Sequence, residues 1–122
     1  MNVFVLDNSY AMVEIYQNNF DILNIEVNIM NAKQNRRARK MLSKNEFDLI
    51  IMEENINEGD SGIELYQTEI KEKYPNVPVI FVSAQNEKED IKVMSSEKAV
   101  TMLIKPFGSR KFQQTVDKAM KH

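Results

Sequence analysis

The sequence predicts one α/β domain, a doubly wound parallel sheet covered by helices on both faces. Short apolar runs alternate with longer amphipathic stretches, and no linker, repeat or low-complexity segment interrupts them. Strands that alternate with helices through short loops pair in parallel, with right-handed crossovers on both faces. The length of 122 residues suits a single domain over residues 1–122. Ligands of such sheets bind beyond the carboxyl ends of the strands.

The first half of the chain predicts three strands and two helices. VFVL (3–6) is continuous, β-branched and aromatic, as in a strand buried on both faces. A helix follows, because apolar residues recur at helical spacing; they are Met12, Ile15, Tyr16, Phe20 and Leu23. IEVNI (25–29) alternates apolar and polar residues like an edge strand. Residues 33–44 predict a polar helix with a thin apolar stripe, and FDLIIM (47–52) predicts the third strand.

Residues 53–62 predict a loop, because they are rich in Asn, Gly, Asp and Ser. The helix behind this loop begins with Ser61-x-x-Glu64, the pattern of a capping box. The buried stripe of that helix is Ile63, Tyr66 and Ile70. YPNVP (74–78) ends the helix, and VIFVSA (79–84) predicts the fourth strand.

The last third of the chain predicts a helix, a strand and a final helix. Asn86-x-x-Glu89 is placed to cap the first of these helices, which carries Ile91 and Met94. VTMLIK (100–105) predicts the fifth strand, stopped by Pro106. The apolar positions of the last helix are Phe112, Val116, Ala119 and Met120.

Composition excludes several classes of protein. The chain has no Cys, which excludes disulfides, thiolate metal sites and thiol catalysis and fits a cytoplasmic location. We expect no signal peptide and no membrane span, because no apolar stretch approaches roughly 18 residues. The net charge of −2 disfavours whole-molecule attraction to nucleic acid. His122 is the only histidine, and no glycine-rich phosphate loop or nucleophile–base pair is present, so we expect no enzymatic activity.

Polar residues lie at the carboxyl ends of four of the five predicted strands. They are Asp7 and Asn8 after the first strand, Glu53 and Glu54 after the third, Ser83 in the fourth and Lys105 in the fifth. Because the carboxyl ends of parallel strands meet at one edge of a sheet, these side chains are expected to converge there.

Five segments, taken together and in order, resemble the response-regulator receiver domain over essentially the whole chain. They are VFVLDN, FDLIIMEEN, the loop ending in DSG, VPVIFVSA and MLIKPF. The resemblance implies a flavodoxin-like (βα)5 fold with strand order 2-1-3-4-5. It also implies two-component, or phosphorelay, signal transduction, in which a histidine kinase phosphorylates an aspartate with the help of Mg²⁺. Phosphorylation then shifts the face formed by the fourth helix, the fifth strand and the fifth helix.

The acidic positions of the family are only partly kept. Asp7 matches the first acid after the first strand, whereas Asn8 replaces the second. The phosphoacceptor position holds Glu53, and the magnesium-binding carbonyl two residues on would belong to Asn55. The resemblance therefore implies a degenerate site, in which any weak metal binding would use Asp7, Glu53 and Asn55.

The remaining positions of the family are also kept in part. The switch hydroxyl is Ser83, and the lysine is Lys105, followed by Pro106 in a bond that is often cis in this family. Met102 replaces the switch aromatic. The degenerate phosphoacceptor site thus comprises Asp7, Asn8, Glu53, Ser83 and Lys105, with Ser83 and Met102 as the switch positions.

Both acidic departures weaken phosphoryl chemistry. Asn8 removes one negative charge, so we expect no required cofactor and only weak Mg²⁺ binding. The Glu53 carboxylate lies one methylene further out, about 1.5 Å by ordinary bond lengths. An error near 1 Å can lower the rate of in-line transfer by about 10²-fold, so Glu53 is expected to be a poor acceptor.

The extra reach of Glu53 suggests an ion pair with Lys105 that holds the domain in a fixed state. Two interpretations stay open: a state that resembles the phosphorylated one, or a structural ion pair in a site that has lost its function. Ser83 is expected either to contact this pair or to bond to backbone. The alternative function is a receiver that still binds Mg²⁺ and a phosphoryl group.

We expect this atypical receiver, a pseudo-receiver, to act through protein–protein contacts. The resemblance implies signalling partners such as a histidine kinase, an effector domain or an adaptor, and a homodimer is also compatible with it. The expected contact surface is the helix around 89–97, the strand 100–105 and the last helix.

A second alternative function concerns KQNRRARKMLSK (33–44), which carries six Lys or Arg residues and no acid. A basic helix of this kind can bind nucleic acid or an acidic partner. It lacks interleaved aromatic residues for base stacking, which disfavours nucleic acid. A solvated helix face is the simpler interpretation, balanced by the acids Glu64, Glu69 and Glu72.

Overall fold

The computed structural model describes residues 1–57 and 59–121, and five parallel strands form its central sheet. These strands are β1 (Asn2–Leu6), β2 (Asn28–Ala32), β3 (Leu49–Glu53), β6 (Val79–Ala84) and β7 (Val100–Lys105). They lie in the order β2-β1-β3-β6-β7. A small antiparallel hairpin of β4 (Asn55–Asn57) and β5 (Asp60–Ser61) lies between β3 and the next helix. Counted within the large sheet, the order is 2-1-3-4-5, so the predicted doubly wound, flavodoxin-like α/β fold is confirmed.

Helices cover both faces of the sheet. They are α1 (Tyr10–Ile22), α2 (Asn35–Lys44), a continuous helix over 62–73, α5 (Lys88–Ser95) and α6 (Ser109–Met120). The helix over 62–73 consists of α3 (Gly62–Leu65), a π-helical turn (Tyr66–Ile70) and α4 (Lys71–Lys73). The buried side chains of α1 and α6 pack in one core, and those of α2, the 62–73 helix and α5 pack in the other.

Each central strand contributes to both cores, which explains the continuous apolar runs. In β1, Val3 and Val5 face α1 and α6, whereas Phe4 and Leu6 face the opposite layer. All four side chains are 0% exposed. Successive side chains of a strand point to opposite faces, so a strand covered on both faces needs apolar residues at every position.

The second strand begins three residues later than predicted. Its alternation predicted residues 25–29, but pairing with β1 covers Asn28–Ala32. Ile25 donates its N–H to the carbonyl of Phe20 at 2.9 Å, and Asn24 has a positive φ of 56°. The chain therefore reverses direction after α1 before it joins the sheet. Ile25, Val27 and Ile29 still pack on one core, so the alternation predicted the buried face and not the start of pairing.

Two further local predictions differ from the structure. The predicted loop 53–62 begins with the last residue of β3 and contains the β4–β5 hairpin. The predicted cap at Asn86 is wrong, because α5 starts after Glu87 and has no side-chain cap. The cap at Ser61 is confirmed, since its Oγ accepts the N–H of Glu64 at 3.1 Å.

Among the described residues, no helix combines the length and apolar character needed to cross a membrane. The carboxyl-terminal His122 lies outside the described residues.

Candidate functional site

The predicted polar residues converge at the carboxyl edge of the sheet. Asp7 directly follows β1, Glu53 ends β3, and Ser83 and Lys105 lie at or near the ends of β6 and β7. Asp7 and Ser83 are buried, with 1% and 0% of their surface exposed. The parallel topology therefore brings four chemically active side chains from four strands to one place.

Glu53 and Lys105 form the ion pair predicted from the sequence. The Lys105 ammonium donates to Glu53 Oε1 at 2.9 Å, with side-chain exposures of 29% and 16%. The Lys105–Pro106 peptide bond is cis. Because both side chains are largely shielded from water, their attraction is screened less than that of a surface pair.

Asp7 lies beside this pair in a buried, hydrogen-bonded position. Its Oδ1 accepts the backbone N–H of Ser9 at 2.8 Å, and the hydroxyl of Tyr16 donates to its Oδ2 at 3.5 Å. Burial, followed by the neighbouring Glu53 carboxyl, raises the pKa of Asp7 to about 7, although the Ser9 N–H and the Lys105 charge oppose the rise. The environment of Asp7 therefore favours the neutral form of its carboxyl.

Tyr16 is a site residue that the sequence analysis placed only in the core. It is 0% exposed, and burial, followed by the charges of Asp7 and Glu53, raises its pKa, so it stays protonated as a hydrogen-bond donor. A tyrosine within an apolar helix stripe needs a partner for its hydroxyl when buried. The sequence therefore indicated that the Tyr16 hydroxyl needs a hydrogen-bond partner, but it did not identify Asp7 as that partner.

Glu54 has a different role from its neighbour Glu53. Its Oε1 accepts the Ser61 hydroxyl at 2.6 Å and the backbone N–H of Ile63 at 3.0 Å. A carboxylate at the amino end of a helix binds unsatisfied N–H groups and favours the helix dipole. The two successive acids at the end of β3 therefore diverge, one toward Lys105 and the other toward the 62–73 helix.

Gly62 allows the hairpin to return close to the end of β3. A Cβ at this position would lie 2.1 Å from the backbone oxygen of Glu53, closer than two such atoms can approach. The Gly62 N–H donates to the Glu54 carbonyl at 2.9 Å. The glycine of the DSG segment is therefore required by packing next to the site.

The same hairpin holds the start of α2. The backbone N–H of Asn35 donates to Asp60 Oδ2 at 3.2 Å, and its side-chain amide donates to the Ser61 carbonyl at 3.0 Å. Asn35 is only 4% exposed. The segment after Glu53 thus connects the site to the first turn of α2.

Ser83 does not join the ion pair. Its hydroxyl donates to Glu87 Oε2 at 3.0 Å and to the carbonyl of Ala84 at 3.3 Å. Glu87 is the residue that precedes α5. This contact could not be predicted, because the direction of a loop side chain has no signature in the sequence. The hydroxyl is therefore used to fix the β6–α5 connection.

The other predicted positions lie outside this cluster. Asn8 and Asn55 are exposed, and Asn55 pairs with Ser61 in the hairpin. Met102 is half-buried and packs against the core that contains α5. The structure thus brings together Asp7, Glu53 and Lys105 and adds Tyr16 to them.

These residues do not fit a tightly held divalent cation. Lys105 already binds Glu53, and a proton competes for the carboxyl of Asp7 near pH 7. Within residues 1–57 and 59–121, no group of three or more His, Cys, Asp or Glu side chains is placed to hold a metal ion. A hard cation prefers several free oxygen ligands, and here the principal carboxylate is occupied.

Comparison with known families identifies the family of this chain. The model of the response regulator receiver domain matches residues 3–117. The chain belongs to this receiver family. It is therefore a receiver domain of two-component signalling, a family whose members bind Mg²⁺ at their phosphorylation site and interact with histidine kinases and effector domains.

Relatives of this receiver include both long and short proteins. It is 32% identical over 87 residues to the Bacillus subtilis (strain 168) protein named "Probable C4-dicarboxylate response regulator DctR", covering 71% of this chain and 38% of that protein. It is 25% identical over 119 residues to chemotaxis protein CheY-3 of Vibrio cholerae, covering 97% of this chain and 90% of that protein. The chain spans only 25% of another relative, the regulatory protein LuxO of Vibrio cholerae.

Solved receiver structures share the fold. The signal receiver domain of an HD domain-containing protein from Pseudomonas fluorescens Pf-5 superposes with a TM-score of 0.84 at 18% identity, covering 99% of this chain and 87% of that one. Chemotaxis response regulator CheY4 of Vibrio cholerae gives a TM-score of 0.78 at 20% identity, covering 97% of both chains. At these identities the superpositions establish the fold alone.

Proposed function

We propose that this receiver signals without phosphorylation, as a pseudo-receiver whose Glu53–Lys105 ion pair takes the place of a bound phosphoryl group. The observation that carries this proposal is the 2.9 Å contact between Lys105 Nζ and Glu53 Oε1. The lysine that would neutralise an incoming phosphoryl oxygen is already bound to the side chain at the phosphoacceptor position. Phosphotransfer would have to break a shielded ion pair before it could begin.

The environment of Asp7 supports the same proposal. A raised pKa, caused first by burial, favours the neutral form of Asp7 and reduces its attraction for Mg²⁺. Asn8 adds an uncharged amide where a second acid is usual in the family. Because phosphoryl transfer depends on positioning and on charge neutralisation, a weakly held metal lowers its rate. Weak Mg²⁺ binding remains compatible with the site, but no cofactor is required.

The positions of Ser83 and Met102 support a fixed state. The Ser83 hydroxyl bonds to Glu87 at 3.0 Å and leaves the ion pair without a serine contact. Met102 offers no aromatic ring whose rotation could report on the site. We therefore propose that the site holds one conformation and does not alternate between two.

We propose that residues 1–122 form one domain that acts through protein–protein contacts on the face of α5, β7 and α6. Both helices of this face carry exposed apolar side chains: Val93 of α5 is 38% exposed and Met120 of α6 is 41% exposed. Glu89 and Asp90 lie in the first turn of α5. Signalling partners of this surface would be a histidine kinase, an effector domain, an adaptor or a second copy of the chain.

The test is an NMR titration of the isotope-labelled domain with Mg²⁺ and beryllofluoride, a phosphoryl mimic. We expect no saturable shifts around Asp7, Glu53, Ser83 and Lys105 when beryllofluoride is added at millimolar concentration in the presence of Mg²⁺. Glu53→Asp is the matched variant, because it shortens the side chain by one methylene and keeps its charge. Saturable shifts in the unmodified protein would overturn the proposal and restore the alternative of a switchable receiver that binds Mg²⁺ and a phosphoryl group.

A further inference from the structure

Helix α2 carries positive charge that its own electrostatics disfavour. Residues 33–44 hold six of the 16 Lys and Arg residues of the chain. Arg36 and Arg37 lie in the first turn of α2, which contains no acid, so they face the positive end of the helix dipole. Arg36 and Lys40, and likewise Lys40 and Lys44, are four residues apart and repel each other. These charges therefore lower the stability of the helix.

The basic side chains of α2 are also without acidic partners. The ion pairs among the described residues are Lys71–Glu97, Lys73–Glu69 and Lys105–Glu53. None of them involves the exposed residues Arg36, Arg37, Arg39, Lys40 and Lys44. Within residues 1–57 and 59–121, these five side chains therefore form no ion pair, although the Asp60 carboxylate accepts the backbone N–H of Asn35 at the start of the helix.

Four of these charges surround a cleft with an apolar floor. The cleft has a volume of about 490 Å³ and lies between α2 and the edge strand β2. Arg36, Arg37, Lys40 and Lys44 line it together with Met30 of β2 and Met41 of α2. A second cleft of about 360 Å³ shares Met30, Lys44 and Asn45 with the first and extends the depression toward the amino end of the sheet, where Glu46 and Phe47 line it. Methionine side chains are flexible and polarisable, so they adapt to varied apolar groups.

We propose that the α2–β2 cleft binds an acidic protein segment that carries apolar side chains between its carboxylates. The Arg and Lys side chains would pair with the carboxylates, and the apolar side chains would contact Met30 and Met41. Charge complementarity identifies the occupant, because the described lining of the 490 Å³ cleft has four cations and no acid, and Glu46 lines only the second cleft. This surface is separate from the face of α5, β7 and α6, so the proposal does not depend on the proposed function.

The lining of the cleft favours a peptide over nucleic acid. Single-stranded nucleic acid binds through aromatic side chains on which bases stack, and the 490 Å³ cleft has none. Duplex DNA contacts proteins mainly through its phosphates, which make no use of an apolar floor. An acidic segment with apolar residues uses both features of the cleft.

The probe for the test is a fluorescein-labelled peptide of Glu-Asp-Leu repeated four times, followed by fluorescence anisotropy. The comparison ligands are the same peptide with Ser in place of Leu and a DNA duplex of equal net charge. The variant is Arg37→Glu with Lys40→Glu. The matched control is Arg110→Glu with Lys118→Glu, which changes the net charge equally at exposed positions of α6.

We expect saturable binding of the Leu peptide, weakened about tenfold or more by the α2 variant and less than about twofold by the α6 control. We also expect the Ser peptide and the duplex to bind at least about tenfold more weakly than the Leu peptide at physiological salt. Circular dichroism checks that both variants fold, and NMR shifts of the Met30 and Met41 methyl groups locate the peptide in the unmodified protein. Absent binding, equal weakening by the two variants, or tighter binding of the duplex would each overturn the proposal.

Discussion

The charged residues at the carboxyl edge of the sheet have partners within the chain, whereas those on the outer surface of α2 form no ion pair among the described residues. At the edge, Lys105 is bound to Glu53, and Glu54 is bound to the start of the 62–73 helix. On α2, exposed cations repel one another and form no ion pair with an acid among the described residues. Charges that are satisfied inside the chain stabilise one conformation. Charges that are left unsatisfied on an exposed surface are available to a ligand.

This difference also shows that the role of a charged residue depends on its surroundings in the fold. The sequence predicted that the strand-end acid Glu53 pairs with Lys105, and the structure contains this ion pair. The basic run of α2 reads as an ordinary solvated face, but its charges surround a cleft. The partners of a charge, more than its type, therefore decide what it does.

The largest expected effect comes from the backbone that supports the ion pair. Gly62→Ala would place a methyl group 2.1 Å from the Glu53 carbonyl oxygen and force the hairpin away from β3. We expect the free energy of unfolding to fall by about 3 kcal/mol, the upper range for overpacking. Urea denaturation measures the change. Gly108→Ala is the control, because a Cβ there meets nothing within 4 Å. Equal stabilities of the two variants would show that the hairpin does not fix the site.

The ion pair itself provides the next test. Lys105→Met leaves the shielded Glu53 carboxylate beside Asp7 without its cation, and we expect a loss of about 2 kcal/mol in unfolding free energy. Lys73→Met breaks the exposed pair with Glu69 and is expected to lose less stability than Lys105→Met, because water screens the exposed pair. Adding Glu53→Gln to Lys105→Met should recover part of the loss. If the two lysine variants lose the same amount, the edge pair is no more than a surface contact.

The pH dependence of stability tests the buried acid of the same edge. The pKa of Asp7 is about 7 when folded and 3.8 in its ordinary state, so the folded chain binds more protons between these values. Stability contributed by protonated Asp7 is therefore lost as pH rises from about 4 to about 7. We expect Asp7→Asn to have little effect at pH 4 and to raise the unfolding free energy by about 1 kcal/mol at pH 8. Thermal melts across this range measure the difference.

Asp117→Asn is the control for this experiment, because it removes an exposed carboxyl from α6. A constant difference between Asp7→Asn and the unmodified protein at every pH would contradict the assignment of the raised pKa to Asp7.

The sequence predicted those parts of the fold that depend on continuous apolar runs. The strands 79–84 and 100–105 have the predicted bounds, because Pro78 precedes the first and Pro106 follows the second. The predicted start of the second strand was three residues too early, because the alternation of apolar and polar residues begins in residues that pack on the core but do not pair with β1. The hairpin after β3 was missed, because its turn residues also fit an irregular loop.

The site was predictable where topology alone determines proximity. Glu53 and Lys105 end two strands of one parallel sheet, so their meeting followed from strand order. The contact of Tyr16 with Asp7 depends on how α1 rotates against the sheet, and the contact of Ser83 with Glu87 depends on a loop. Neither contact produces a periodic pattern in the sequence from which it could be predicted. The cleft was also unpredictable, because it requires the positions of both β2 and α2.

The smallest expected effect concerns the stability of α2. Arg37→Glu with Lys40→Glu should stabilise the free protein, because the variant removes like-charge repulsion and places an acid in the first turn. We expect a gain of about 0.5 kcal/mol in unfolding free energy at low salt, which decreases as salt screens the charges. Urea denaturation at two salt concentrations measures it, with Arg110→Glu and Lys118→Glu as the control. A loss of stability at low salt would mean that these cations already stabilise the fold, and the contrast with the carboxyl edge would then fail.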